Sequence, residues 1–259
     1  MATWDPAQYL RFERERTQPC RDLVARIELA PPHRIVDLGC GPGNSTAVLR
    51  ARWPTSEIVG VDRSAEMLTA ARRTDASVRW VEADAASWTP DAPVDLLFSN
   101  AALQWVPDHA RQFPRLFASV APGGAFALQM PANTDEPYQR AAVRLSASPT
   151  WSRFLGSLGL DFETEGPDFY FDRLAPLAGR IDLWDTRYVH VLAGPDEVVE
   201  WIVGTGLRPY LAALPDDAHR ERFLAEYRAE IRREYPARSG GRVLFPFLRR
   251  FVVAYRAAP

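Results

Sequence analysis

Lysine is absent: all 31 basic residues are arginine, set against 33 acidic residues, so the net charge is only −2. Such a bias is what GC-rich coding produces. The near-balance of charge gives no global electrostatic reason to expect nucleic acid or an anionic membrane as a partner. Cysteine is scarce too. Cys20 and Cys40 are too few for a disulfide framework, and Cys40 sits inside a glycine-rich turn, so the expected compartment is the reducing cytoplasm. Residues Met1 to Leu10 lack a basic stretch followed by an apolar one, so no signal peptide is expected. No apolar run reaches bilayer length, and repeats and low-complexity stretches are missing. What remains is an ordinary globular composition, 47% hydrophobic and 25% charged over 259 residues, enough for one large core or for a core plus a small cap.

The first half of the chain alternates short apolar runs with amphipathic ones. A strand Arg34–Leu38 runs into Gly39-Cys-Gly-Pro-Gly43, and Asn44 or Ser45 is placed to cap a helix through Trp53. A second strand, Glu57–Val61, ends at Asp62; Ser64 then caps a helix through Arg73, with Glu66 in its first turn. Val78–Val81 and Val94–Ser99 read as the third and fourth strands. A helix from about Pro107 to Val120 leads through the turn Pro122-Gly-Gly124 to a fifth strand, Ala125–Met130. This rhythm predicts an α/β fold with a doubly wound, mostly parallel, Rossmann-like sheet.

Beyond Met130 the rhythm changes. Residues 131–180 read as irregular helix rich in aromatics, among them Trp151, Phe154, Phe162, Phe169, Tyr170 and Phe171. A strand Thr186–Leu192, a helix from Pro195 through Val203, a charged helix from Asp216 to Tyr235, and strands Val243–Phe245 and Arg250–Tyr255 follow. The expected organisation is a single domain. It has an N-terminal cap segment (1–29), a ligand-binding core (30–130), helical cap insertions (131–180 and 195–240), and edge strands (181–194 and 241–259), the last antiparallel.

The chemistry centres on Asp37-Leu-Gly-Cys-Gly-Pro-Gly43. Glycines at 39, 41 and 43 let backbone lie against a ligand at the carboxyl end of a parallel strand, where doubly wound sheets bind. Asp62, at the end of the second strand, suits both hydroxyls of a ribose. A dinucleotide would use the same acid, but its fingerprint needs glycine where Asn44 stands, and Pro42 removes an amide that a pyrophosphate would use. Asp84, after the third strand, can accept from an adenine amino group. Asn100, at the end of the fourth, can offer its carbonyl to an α-ammonium or reach a substrate. A capping role would explain any one of these residues. Their order along consecutive strand ends points instead to adenosine joined to an amino acid.

These residues resemble the class I S-adenosylmethionine methyltransferases. More particular segments resemble one family among them, the trans-aconitate 2-methyltransferases: Trp4-Asp-Pro6, Glu15-Arg16, Asp37 to Thr46, Arg52-Trp-Pro54, Leu103-Gln-Trp105, Pro107-Asp-His109, Gln129-Met-Pro131, Trp201, Thr205 to Pro209 and Tyr235-Pro236. The resemblance spans nearly the whole chain and is weakest from Asp135 to Arg180. It implies S-adenosylmethionine as cofactor, S-adenosylhomocysteine as product, and transfer of a methyl group to a carboxylate of trans-aconitate to give a monomethyl ester. The cofactor set expected is Tyr9, Asp37, Gly39, Gly41, Gly43, Asp62, Arg63, Met67, Asp84, Ala85 and Asn100. A carboxylate is already ionised at neutral pH, so no general acid or base and no metal is expected.

A tricarboxylate needs cationic forks for the groups that do not react, and arginine supplies them. Arg208, between Gly206-Leu207 and Pro209-Tyr210 at a helix end, and Arg16 are the candidates. Trp105 and Tyr9 can close over a sulfonium, and Tyr188 and His190 alternate toward one face of their strand. The run Arg220 to Arg233 reads as a solvated helix face. Two rival readings stand beside this: another small acid or small molecule as substrate, and a non-catalytic binding or RNA-modifying protein. Base-methylating enzymes tend to carry a proline pair and an aromatic after the fourth strand, whereas this chain reads Asn100-Ala-Ala-Leu-Gln-Trp105. A binding module without activity would be expected to lose the glycine loop or Asp62. A monomer or small homo-oligomer without nucleic acid or membrane partners is expected.

Overall fold

The computed structural model describes residues 13–156, 158 and 164–258. The apolar runs become strands of one seven-stranded sheet: β1 Arg34–Leu38, β2 Glu57–Asp62, β3 Arg79–Glu82, β4 Val94–Asn100, β5 Val120–Pro131, β6 Arg180–Leu192 and β7 Val243–Tyr255. Their order is β3-β2-β1-β4-β5-β7-β6. The first five strands pair in parallel, and β7 lies antiparallel to β5. Val36, Leu38, Val61, Leu97 and Phe126 are all completely buried, as strands covered on both faces must be. The order reverses between β1 and β4, which is where such sheets bind ligands. The predicted fold class is thus the one observed.

Four helices interleave with these strands: α1 Glu13–Arg26, α2 Asn44–Arg52, α3 Ala65–Thr74 and α4 His109–Ala118. Ser64 caps α3 as expected, accepting from Met67 N–H at 3.3 Å. The expected cap of α2 is corrected: Gly43 holds the N-cap position without a side-chain bond, and the Ser45 hydroxyl turns back toward β1. Pro122-Gly-Gly124 is not a turn ahead of a strand but a bulge within β5, where the register jumps from Val94↔Val120 to Leu96↔Ala125. Likewise the two expected C-terminal strands are one, β7, which runs through Pro246. Its ladder with β5 covers only Arg249–Tyr255, so proline at 246 breaks no hydrogen bond of that pair. β6 starts at Arg180, six residues before the Thr186 expected.

The remaining helices are α5 Pro137–Ser146, α6 Ser152–Leu155, α7 Pro167–Leu174, α8 Pro195–Val203, α9 Arg208–Ala213 and α10 Asp217–Glu234. The chain forms two compact units. One comprises Glu13–Ala132, Phe162–Thr186 and Arg249–Pro259; the other includes Asn133–Asp161 and Arg187–Leu248. The stretch expected as one cap insertion, 131–180, is therefore divided. Its later part, α7, buries Tyr170 and Leu174 in the core of the sheet unit. The second unit has its own core, with Trp151, Trp201, Tyr210, Phe223, Tyr227 and Phe245 fully buried. On α10, Phe223, Tyr227 and Ile231 are buried at a spacing of four. Its charges stay outside in pairs such as Arg232–Asp196 at 3.0 Å, the solvated face that sign alternation predicts. Among the described residues, no helix is long and apolar enough to cross a membrane, and no cluster of His, Cys, Asp and Glu could hold a metal ion.

Candidate cofactor site

The loop after β1 is fastened by its own amides. Gly39 and Cys40 both donate to the Val61 carbonyl, at 2.7 and 3.0 Å, which ties the loop to the end of β2. Gly39 has φ +77°, and a Cβ there would lie 2.1 Å from the Ala102 Cβ. Bare backbone is what lets the loop after β1 rest on the loop after β4. Gly41 also has positive φ, +54°, but a Cβ there would meet nothing within 4 Å. One glycine is packed; the other faces an open cradle.

Asp62 completes that cradle. Its Oδ2 accepts the Gly41 N–H and its Oδ1 the Ser64 N–H, both at 2.9 Å. A carboxylate has about four acceptor positions, so these two bonds fix its plane and leave room for two further donors. Asp37 works from behind the loop. It is fully buried, and its Oδ2 accepts from the Ser45 and Thr46 hydroxyls at 2.7 and 2.6 Å. Burial pushes its pKa up to about 6, against the pull of those two hydroxyls, and the Asp62 charge adds to the rise. The structure thus places Asp37 as the brace of the loop and the start of α2.

Farther along, exposed Asp84 accepts the Ala86 N–H at 2.8 Å through Oδ1. The Ala85 and Trp88 carbonyls are held by the Arg115 guanidinium at 2.6 and 2.7 Å. Arg63 is exposed and Met67 is buried on α3. Asn100 ends β4 opposite Gln129 of β5, whose Nε2 donates to the Asn100 Oδ1 at 2.6 Å. The carbonyl expected to meet an α-ammonium already has this partner and keeps one lone pair. Ala101 follows with φ +53°, held by its N–H to the Gln129 carbonyl at 2.9 Å and by its own carbonyl to Gln104 Nε2 at 2.7 Å. Trp105 closes the short turn Leu103–Trp105, donating its N–H to the Ala102 carbonyl at 3.1 Å. The sheet unit therefore brings together Gly39, Gly41, Asp62, Asn100 and the turn before Trp105. Gln104 and Gln129, which hold the second loop, lie in segments that carry the family resemblance but were not among the expected site residues.

In the second unit, half-buried Arg208 opens the six-residue α9. Tyr188 and His190 stack at 6.3 Å, and the His190 ring also packs 4.8 Å from Trp201. His190 is thus part of an aromatic cluster. Arg187 pairs with the largely buried Glu136 at 2.7 Å, and Asn133 Oδ1 accepts the Leu248 N–H at 2.5 Å. Tyr9 and the Arg16 side chain lie outside the described residues.

Residues 35–124 match the family model for the methyltransferase domain. Over 256 residues the chain is 50% identical to the trans-aconitate 2-methyltransferase of Azoarcus sp. (strain BH72), covering 99% of this chain and 100% of that one. The chain belongs to the trans-aconitate 2-methyltransferase family. A relative of the same name from Streptomyces coelicolor is 49% identical, with 97% and 86% of the two chains covered. Among solved structures, the YcgJ protein of Bacillus subtilis aligns with a TM-score of 0.60 at 15% identity, over 93% of this chain and 99% of that one. Phosphoethanolamine N-methyltransferase 2 of Haemonchus contortus aligns at 0.55 and 14%, over 93% and 52%. At such identities the likeness is one of fold.

Membership makes the chain an S-adenosylmethionine-dependent methyltransferase, and its residues fit that cofactor. The open face at Gly41 admits a ligand where a side chain would fill the space. Asp62 retains two acceptor positions for ribose hydroxyls, and Asn100 retains one for an ammonium.

Proposed function

We propose that this protein methylates one carboxylate of trans-aconitate, yielding the monomethyl ester. The observation that carries the reading is the intact glycine loop and Asp62 in a chain about half identical, end to end, to relatives bearing that name. Bound S-adenosylmethionine supplies the methyl group from its sulfonium: the carboxylate oxygen forms the new bond to carbon, the electron pair of the broken bond stays on sulfur, and no proton moves. The chain's own work is binding, orientation and exclusion of water, and orientation of this kind contributes roughly 7–11 kcal/mol. Gly39, Gly41, Gly43, Asp62, Arg63, Met67, Asp84, Ala85, Asn100 and Tyr9 are assigned to the cofactor, with Asp37 behind the loop. Arg208, Arg16, Trp105, Tyr188 and His190 are assigned to the substrate. The reading includes a monomer or small homo-oligomer in the cytoplasm, acting without nucleic acid; two free, buried cysteines accord with a reducing compartment.

Incubation with labelled S-adenosylmethionine and a panel of tri-, di- and monocarboxylic acids tests the substrate. Trans-aconitate should be the best acceptor and its label should be base-labile, as an ester is. Arg208→Lys should cut turnover of trans-aconitate at least tenfold, since lysine keeps the charge and loses the two-point grip. The same variant should lose much less on a monocarboxylate. Equal use of monocarboxylates by the wild type would remove the tricarboxylate assignment.

A further inference from the structure

The Pro107-Asp-His109 segment has no task in the scheme above, yet His109 is completely buried at the first turn of α4. Both of its ring nitrogens are engaged. Nε2 lies 2.9 Å from the Leu103 carbonyl oxygen, and Nδ1 lies 3.0 Å from the hydroxyl of Tyr170, on α7 and also completely buried. A carbonyl only accepts, so Nε2 carries the proton. With the proton on Nε2, Nδ1 is an acceptor and the Tyr170 hydroxyl donates to it, while the Tyr170 oxygen accepts the Glu165 N–H at 3.0 Å. The relay reads in one direction: Glu165 N–H to Tyr170, Tyr170 O–H to His109, His109 Nε2–H to Leu103. Its end point is the turn Leu103–Trp105, whose neighbour Ala102 packs on Gly39.

We propose that His109 and Tyr170 are positioning residues for methyl transfer: Tyr170 fixes the imidazole tautomer, and the imidazole fixes the turn that presents Trp105 to the site. The ring is well suited to this. A buried imidazole with a donor and an acceptor on opposite edges holds two elements at a set distance and angle, whereas an apolar ring of the same size would leave the buried Leu103 carbonyl with the Val106 N–H at 2.9 Å alone and the Tyr170 hydroxyl without its acceptor. The role of Trp105 rests on the methyl-transfer reading. The relay itself does not.

The test uses the full chain and two independent readouts. In a two-bond nitrogen–proton spectrum, His109 should show the neutral Nε2–H pattern in the wild type; an Nδ1–H pattern would overturn the proposal. Amide exchange of residues 103–106 should quicken at least tenfold in Tyr170→Phe while the Gly39–Gly43 loop changes less than twofold. In turnover, Tyr170→Phe should lower kcat about tenfold and shift cofactor affinity less than twofold. Phe113→Leu supplies the packing control, because Phe113 touches the rings of both His109 and Tyr170 at 4.8 and 4.7 Å without a hydrogen bond. It should lower Tm more than Tyr170→Phe and keep kcat within twofold. If kcat follows Tm across these variants, or if exchange at 103–106 does not respond, the residues merely pack and the proposal fails. A wild type inactive on every acid would sink the substrate reading, while the exchange data would still decide the relay.

Discussion

The two loops that meet at the candidate cofactor site are built by opposite means. After β1, the chain is held by its own backbone: Gly39, Cys40 and Gly41 donate amides to Val61 and Asp62 across a single neighbouring strand. After β4, the chain is held largely by side chains, Gln129 from the neighbouring strand, Gln104 from the loop itself and His109 from the start of α4. A backbone-held loop tolerates almost no side chain and shows itself as a glycine motif. A side-chain-held loop tolerates ordinary residues at its own positions, since its geometry is set elsewhere. The first is therefore sensitive to added atoms, the second to removed polar groups.

The largest test of that difference lies within the glycine loop. Gly39→Ala forces a left-handed φ on alanine, costing about 1–2 kcal/mol, and drives a Cβ to 2.1 Å from the Ala102 Cβ, costing about 1–3 kcal/mol more. Urea unfolding should show a loss of roughly 3 kcal/mol. Gly41→Ala should lose only the backbone share, about 1–2 kcal/mol, because its Cβ meets nothing within 4 Å. Cofactor affinity should nonetheless fall in both. Equal unfolding losses would mean that the two loops do not rest on each other at Gly39.

Next in size is the brace behind the loop. Asp37 has a pKa of about 6 in the fold against 3.8 for the free group. Because the folded value is the higher one, the folded state binds the extra proton. Stability contributed by that proton is full below about pH 4 and is lost as the pH rises through about 6, an effect on the order of 3 kcal/mol. Asp37→Asn still accepts from the Ser45 and Thr46 hydroxyls and cannot titrate. Its unfolding free energy should lack this slope between about pH 4 and pH 6, and a mutant with the wild-type slope would show that burial of Asp37 does not govern it.

These cases show what was legible in the sequence. The strand–glycine–helix unit is continuous in the chain, and Asp62 follows Gly41 by 21 residues at the end of the very next strand, so pattern and spacing sufficed. Ser45 was misread as a cap because the cue for capping, a hydroxyl before a helix, is the same cue whether the hydroxyl faces the helix or a buried acid. Gln129 and Asn100 are 29 residues apart and meet only through the parallel register of β4 and β5. His109 and Tyr170, 61 apart, meet only through the packing of α4 and α7. The extent of β5 and β7 was underestimated for a different reason. Pro122-Gly-Gly124 and Pro246 are turn residues by composition, and only the bulge and the limit of the β5–β7 ladder make room for them.

Asp62 separates binding from folding, and its effect should be somewhat smaller. Asp62→Ala removes the acceptor for the Gly41 and Ser64 amides, and it removes the two positions left for ribose. Cofactor affinity should fall by roughly 1.5–3 kcal/mol, the scale for hydrogen bonds to a charged group, by calorimetric titration. Wild-type affinity in this variant would reduce Asp62 to the partner of two backbone amides.

The smallest effect belongs to the surface of the second unit, where charges are many and open to water. Arg232 on α10 pairs with Asp196 on α8 at 3.0 Å, but the two side chains are 59% and 58% exposed. A pair so open to water gains little, because solvent screens the attraction and ordering two long side chains costs entropy. Arg232→Ala and Asp196→Ala should each change unfolding free energy by less than about 1 kcal/mol, and their double-mutant coupling should be within about 0.5 kcal/mol of zero. Whatever coupling exists should shrink as ionic strength rises from about 0.05 to 0.5 M. The same helix turns Phe223, Tyr227 and Ile231 into the core, where the Tyr227 hydroxyl also donates to the Tyr138 carbonyl at 3.1 Å, so its anchorage lies on its inner face. A coupling above about 2 kcal/mol, insensitive to salt, would instead mean that α8 and α10 are clamped by charge, and the reading of residues 220–233 as a solvated face would have to be withdrawn.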